Sequence, residues 1–336
     1  MKIVWPSVGL AFCMTCLPPG NIAAEVSQNI AEPVSGRAMS IEGIIPADVL
    51  ARVELIQNMI EVIRFDMGKP KASTSKPIAT NAQPHEVYFQ AMTLFLKADR
   101  LALELTGSTG ITPEMVKASS IRPFHVWKMV NAAYDRIVTV VQELRIREKI
   151  SEQKKSSSTT PTEVGRAIVQ TNRQLNVLLE RRFAPSDVYQ QVTMAIRYTQ
   201  ALLAQFPEAQ EDTNPHIYER GKQPSEVFLR LIQCYGLLEK IAGHSHLKVL
   251  HLNQDMAEQV VKNLEVRPSD VYDIATLLVS DLAYLHAHIP QAKFPGSVSY
   301  PGRKFPSHVF QQAGILLSQL TALEKNVKID PQWLNR

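Results

Sequence analysis

A short cassette, a proline followed two places later by an acid or a histidine and then by valine, recurs eight times and constrains the fold of this chain more than any other feature of its 336 residues. The prolines are Pro46, Pro84, Pro123, Pro161, Pro185, Pro224, Pro268 and Pro306, and the valines are Val49, Val87, Val126, Val164, Val188, Val227, Val271 and Val309. Proline at the first helical position has φ preset and lacks only an N–H that would be unpaired there anyway. The acid that follows sits among the free N–H groups at the positive end of the helix dipole. The cassette therefore reads as a helix start.

From each valine, apolar or small residues follow at intervals of 4, 3, 4 and 3, which is the spacing of one helix face. The first run is Val49, Val53, Ile56, Ile60 and Ile63, and the last is Val309, Ala313, Leu316, Leu320 and Leu323. The pattern predicts an all-α protein of eight main helices, each about 30 Å long at 1.5 Å per residue.

The spacing of the copies carries a second message. Pro46, Pro84, Pro123 and Pro161 lie 139 to 145 residues before Pro185, Pro224, Pro268 and Pro306 in turn, and alternate prolines within each half are 77 to 83 residues apart. This predicts four helical hairpins duplicated into two tandem four-helix bundle-like units, residues 46–182 and 185–327, with a tail at 328–336. The connectors are long for a helical bundle, whose loops usually run about 2 to 8 residues. Thr112-Pro113-Glu114 and Asn253-Gln254-Asp255 read as starts of short extra helices inside two of them.

Met1-Lys2, an apolar run to Leu17 and the small residues Ala23-Ala24 have the three parts of a signal peptide, so residues 1–24 are expected to be cleaved and 25–45 to form a flexible leader. Such a product would be periplasmic or secreted. Cys13 and Cys16 fall in that first segment, leaving Cys234 alone in the mature chain and excluding an intramolecular disulfide framework. Cys234 occupies an apolar slot of its helix and reads as a small core residue. The formal charge of +4 comes from 36 basic and 32 acidic residues without a long block of one sign, so nucleic acid is not implied as a partner. Nothing later in the sequence is apolar enough for a transmembrane segment.

Candidate chemistry is sparse. His244 and His246 lie in a loop and could offer imidazoles to zinc or copper, whereas His286 and His288 fall on opposite faces of a predicted helix and cannot readily share an ion. A di-iron bundle would need Glu-x-x-His spacings, which are absent. His125 and His308 replace the cassette acid. No nucleophile elbow or phosphate-binding glycine loop is present.

The residue after the cassette valine is aromatic at Tyr88, Trp127, Tyr189, Phe228, Tyr272 and Phe310, and glycine at Gly165. These rings should mostly pack between helix starts. Beside the basic residues Arg122, Lys222, Arg267, Arg303 and Lys304 they could also line a groove for a peptide, glycan or anionic partner. The sequence thus supports an exported, non-catalytic interaction scaffold or ligand-binding module with a protein, peptide or glycan partner. The alternative is a metal-binding protein using histidines of the second half.

Overall fold

The computed structural model describes residues 43–71, 79–148, 150–151, 158–179, 183–206, 217–263, 265–296 and 298–335. The expected signal peptide with its two cysteines and the leader up to residue 42 lie outside the described residues. The fold is all-α. Every cassette opens a helix at its proline: α1 Pro46–Asp66, α2 Pro84–Thr106, α3 Pro123–Glu143, α4 Pro161–Leu178, α5 Pro185–Leu203, α6 Pro224–His244, α8 Pro268–His286 and α9 Pro306–Ile329. The short helix expected at Asn253 is present as α7, Gln254–Asn263. The one expected at Thr112 is not, and that connector carries only a single 3₁₀ turn at Ala118–Ser120.

The cassette works through its third residue. Asp48, Glu163, Asp187, Glu226 and Asp270 each accept the backbone N–H of the residue before the proline, at 2.7–2.9 Å. His125 and His308 do the same job with Nδ1, which accepts from the N–H of Arg122 at 3.0 Å and of Phe305 at 3.1 Å. The Nδ1 of a histidine at this position thus takes over the acceptor role of the acid.

The valine stripes form the core. Val49, Val53, Ile56, Ile60 and Ile63 are buried, and so are Val271, Ala275, Leu278, Leu282 and Leu285 on α8. Cys234 is fully buried, with its thiol on the Ala313 carbonyl oxygen. Burial pushes that thiol well above its ordinary range, so it behaves as a core side chain.

The helices do not form hairpins. α1 neighbours α3 and α4, α2 neighbours the same two, and α1 and α2 stand diagonally opposite. The second set repeats this order, with α5 and α6 each neighbouring α8 and α9. The four prolines and four valines that open α5, α6, α8 and α9 line a single small recess, so all four helices start at the same end and run parallel. In the first set the Ala82 N–H binds Thr162 Oγ1 at 3.0 Å, which joins the starts of α2 and α4.

Parallel packing is what requires long connectors. Each must travel back along a helix of about 30 Å, and the 16 to 23 residues between helix ends within a set are enough at about 3.3 Å each. Between the sets only residues 179–184 separate α4 from α5. So short a link reverses the chain, and the two sets lie antiparallel.

They meet along α2 and α8. Lys97 pairs with Asp273 at 3.0 Å and His85 with Asp281 at 2.9 Å, so residue numbers rise on one helix as they fall on the other. A two-residue antiparallel bridge, Ala79–Thr80 with His251–Leu252, also links the sets. Among the described residues no helix is long and apolar enough to cross a membrane.

Candidate functional site

The facing sides of α2 and α8 are polar although buried. On α2, Glu86, Gln90, Thr93 and Lys97 follow one another at helical spacing, with His85 beside them; on α8 the row is Ser269, Asp273, Thr276 and Ser280, with Asp281 next to it. Such a row on either helix alone reads as a solvated face. Here the rows meet through the Lys97–Asp273 and His85–Asp281 pairs, and Gln90 is met by Asn172 of α4.

The titratable groups concentrate at the start of α2. His85 Nε2 lies 2.9 Å from Asp281 Oδ1 and 3.7 Å from Glu86 Oε1. Its ring stacks on Tyr284, with centroids 4.0 Å apart and planes 7° from parallel. Tyr235 donates its hydroxyl to Asp281 Oδ2 at 2.5 Å and has the Leu250 carbonyl oxygen at 3.3 Å. Glu86 serves its own cassette by accepting the Gln83 N–H at 2.5 Å, and its other oxygen accepts the N–H of Leu250 from the connector of the second set.

Burial, reinforced by the Asp281 charge, pushes the Glu86 carboxyl up to about 10 against the opposing pull of those two N–H groups. Burial also raises Tyr235, with Asp281 and Glu86 adding to it, so its hydroxyl remains a donor.

Above this cluster opens a cleft of about 610 Å³. Its walls are residues 81–83 of the first set and Glu239, Gly243 and residues 247–251 of the second. Glu239 holds the connector in place, accepting the Leu252 N–H at 2.8 Å and facing His251 Nδ1 at 3.2 Å. Asn81, on the rim, has a positive φ of 60°, a left-handed conformation that asparagine tolerates better than most residues. Gln83 and Leu250 line the cleft and also bind Glu86, so the buried cluster lies directly behind the cleft wall.

The residues singled out from the sequence lie elsewhere. His244 ends α6 with Nε2 3.4 Å from Glu324. His246 occupies the left-handed position just after that helix, φ 55°, where its N–H meets the Gly243 carbonyl oxygen at 3.2 Å and the next N–H reaches Ala242 at 2.9 Å. That is a helix stop. Among the described residues the group of three able to offer ligand atoms within 4.8 Å of one another is His85, Glu86 and Asp281, with neither His244 nor His246 in it. His286 is buried against Tyr198, and His288, just beyond the helix, binds the Tyr284 carbonyl oxygen through Nδ1.

The aromatic groove does not form. Tyr88, Phe228, Tyr272 and Phe310 are buried, and Trp127 and Tyr189 are half-buried. One residue past the inward valine, a side chain points toward the adjacent helix, so parallel neighbours cover it. Tyr272 packs on Phe183, and Phe310 lies under the Arg230 guanidinium and the Lys222 ammonium. The basic residues are split accordingly: Lys222 and Lys304 cover Phe310 and Tyr189, Arg303 lies over Phe305, and Arg122 and Arg267 are exposed.

Comparisons with protein-family models, with curated proteins and with solved structures returned no match.

Proposed function

We propose that this protein is an exported, non-catalytic ligand-binding module that recognises an extended peptide of a partner in the extracytoplasmic space. The observation that carries this reading is the cleft of about 610 Å³ between the two helix sets, a volume within the roughly 300–1,000 Å³ of typical ligand sites. Its walls include connector residues 81–83 and 247–251, next to the antiparallel bridge of the two sets. A cleft walled by connector segments in this way can seat an extended peptide segment between them. Lys248 and Glu239 at the rim supply charge for orientation. The signal-peptide pattern of residues 1–24 supports the compartment.

Gly243 provides the test. It lines the cleft, and a Cβ added there would meet nothing within 4 Å, so Gly243→Trp fills the cleft without strain. A photo-crosslinker at Val249 should capture a peptide-bearing partner in the wild-type background and lose it in Gly243→Trp, while the circular dichroism of the two proteins matches. Equal capture in both would overturn the reading.

A further inference from the structure

His85, Glu86 and Asp281 form a buried group poor in positive charge. Lys97, the buried cation on the same face of α2, is engaged by Asp273 about three turns away. The geometry points to a divalent transition-metal site formed by His85 Nε2, Glu86 Oε1 and Asp281 Oδ1, drawn from both helix sets.

The separations support it. Ligand atoms around a tetrahedral ion with bonds of about 2.0–2.1 Å stand roughly 3.4 Å apart, and Nε2 lies 2.9 Å from Asp281 Oδ1 and 3.7 Å from Glu86 Oε1. One imidazole with two carboxylates suits zinc or manganese better than a soft-metal ion.

The surroundings are those of a supported metal site, in which outer groups fix the ligands. Tyr235 holds the second oxygen of Asp281, the Gln83 and Leu250 N–H groups hold Glu86, and Tyr284 stacks on His85. Three protein ligands leave a position open for water or another donor. Because Gln83 and Leu250 also line the cleft, an ion would enter from that side. Bound there, it would tie α2 of one set to α8 of the other.

The experiment is equilibrium dialysis of the metal-stripped full chain against zinc and against manganese, followed by elemental analysis and thermal melts. One ion per chain and a raised Tm are expected for at least one of the two metals. Asp281→Asn and His85→Gln should bind at least tenfold more weakly and lose the Tm rise, while the double variant His244→Ala/His246→Ala and Gly243→Trp behave as wild type. Asp281→Asn is tolerated because Tyr235 can turn its hydroxyl to the Leu250 carbonyl oxygen.

If either variant fails to fold, Tyr235→Phe spares all three ligands and should weaken binding about tenfold. Cobalt(II) added to the wild type should give visible bands of nitrogen and oxygen coordination. No stoichiometric ion with either metal, no cobalt bands, wild-type binding by Asp281→Asn and His85→Gln, or binding lost only on removing His244 and His246 would each overturn the site.

Discussion

Lys97 Nζ of α2 donates to Asp273 Oδ1 of α8 over 3.0 Å, with the lysine fully buried and the Phe183 ring 5.2 Å away. This pair joins the end of the seam remote from the cleft. Removing one partner of a buried ion pair leaves the other uncompensated, at a cost of about 3–5 kcal/mol. Lys97→Met should therefore destabilise the protein by about that amount in urea unfolding. The double replacement Lys97→Met with Asp273→Leu should recover most of the loss, because an apolar pair of similar volume has no charge to desolvate.

His125 should make stability depend on pH. Burial, with Arg122 and Lys128 nearby, lowers it from its ordinary value of 6.5. The unfolded chain thus binds this proton more readily than the folded one, and the contribution of His125 is complete above pH 6.5 and lost as pH falls toward the depressed folded value. Protonation also removes the Nδ1 lone pair that accepts the Arg122 N–H. His125→Glu, which restores the acid of the other cassettes, should raise stability at pH 5.5 by about 0.3–1 kcal/mol, a typical gain from a first-turn acid, and flatten the melting profile between pH 7 and 5.5.

Gly165 stands where six of the other seven cassettes carry an aromatic ring, and the start of α2 explains why. A Cβ at this position would lie 3.5 Å from Val87 and 3.7 Å from Ala82, ordinary contact with no room beyond it. Gly165→Ala should stabilise by up to about 1 kcal/mol through helix propensity. Gly165→Phe should destabilise by about 1–3 kcal/mol or more, as overpacked cores do. Paired chemical denaturation curves of the two variants test both signs.

Trp333, placed by sequence in a C-terminal tail, is buried, donates Nε1–H to Ser245 Oγ at 2.9 Å and packs on Phe206. Trp333→Ala should cost about 3–5 kcal/mol. The Tm of the variant would show it, and a change within error would mean that the packing carries no stability.

Helix starts and core stripes were legible because each is local: Pro185 fixes φ, Asp187 takes an N–H three residues away, and Val188 to Leu202 share one face. The direction of the helices was not. Alternate cassettes 77 to 83 residues apart suggested hairpins, yet that spacing marks parallel neighbours, as the 79 residues between Arg52 and its partner Asn131 illustrate. The connector lengths held the clue, since hairpins need no chain long enough to return.

The candidate site was hidden for a different reason. His85 and Asp281 are 196 residues apart, and each lies on a polar row that would face water if its helix stood alone. His125 and His308 stood out as departures from the cassette but serve the same capping bond as the acids they replace.

The parallel arrangement also bears on how the chain reaches its native state. Hydrogen bonds between neighbouring helices join residues far apart in sequence: 79 for Cys234 with Ala313, 80 for Arg230 with Phe310, 81 for Gln191 with Tyr272 and 82 for Asn172 with Gln90. An up-and-down bundle pairs each helix with the next one made and so has low contact order, whereas here α1 finds no adjacent partner until α3 exists. Folding rates fall as such separations grow. This helical protein should therefore refold at the pace of a mixed α/β domain, and during synthesis its first two helices remain without the neighbours that bury them.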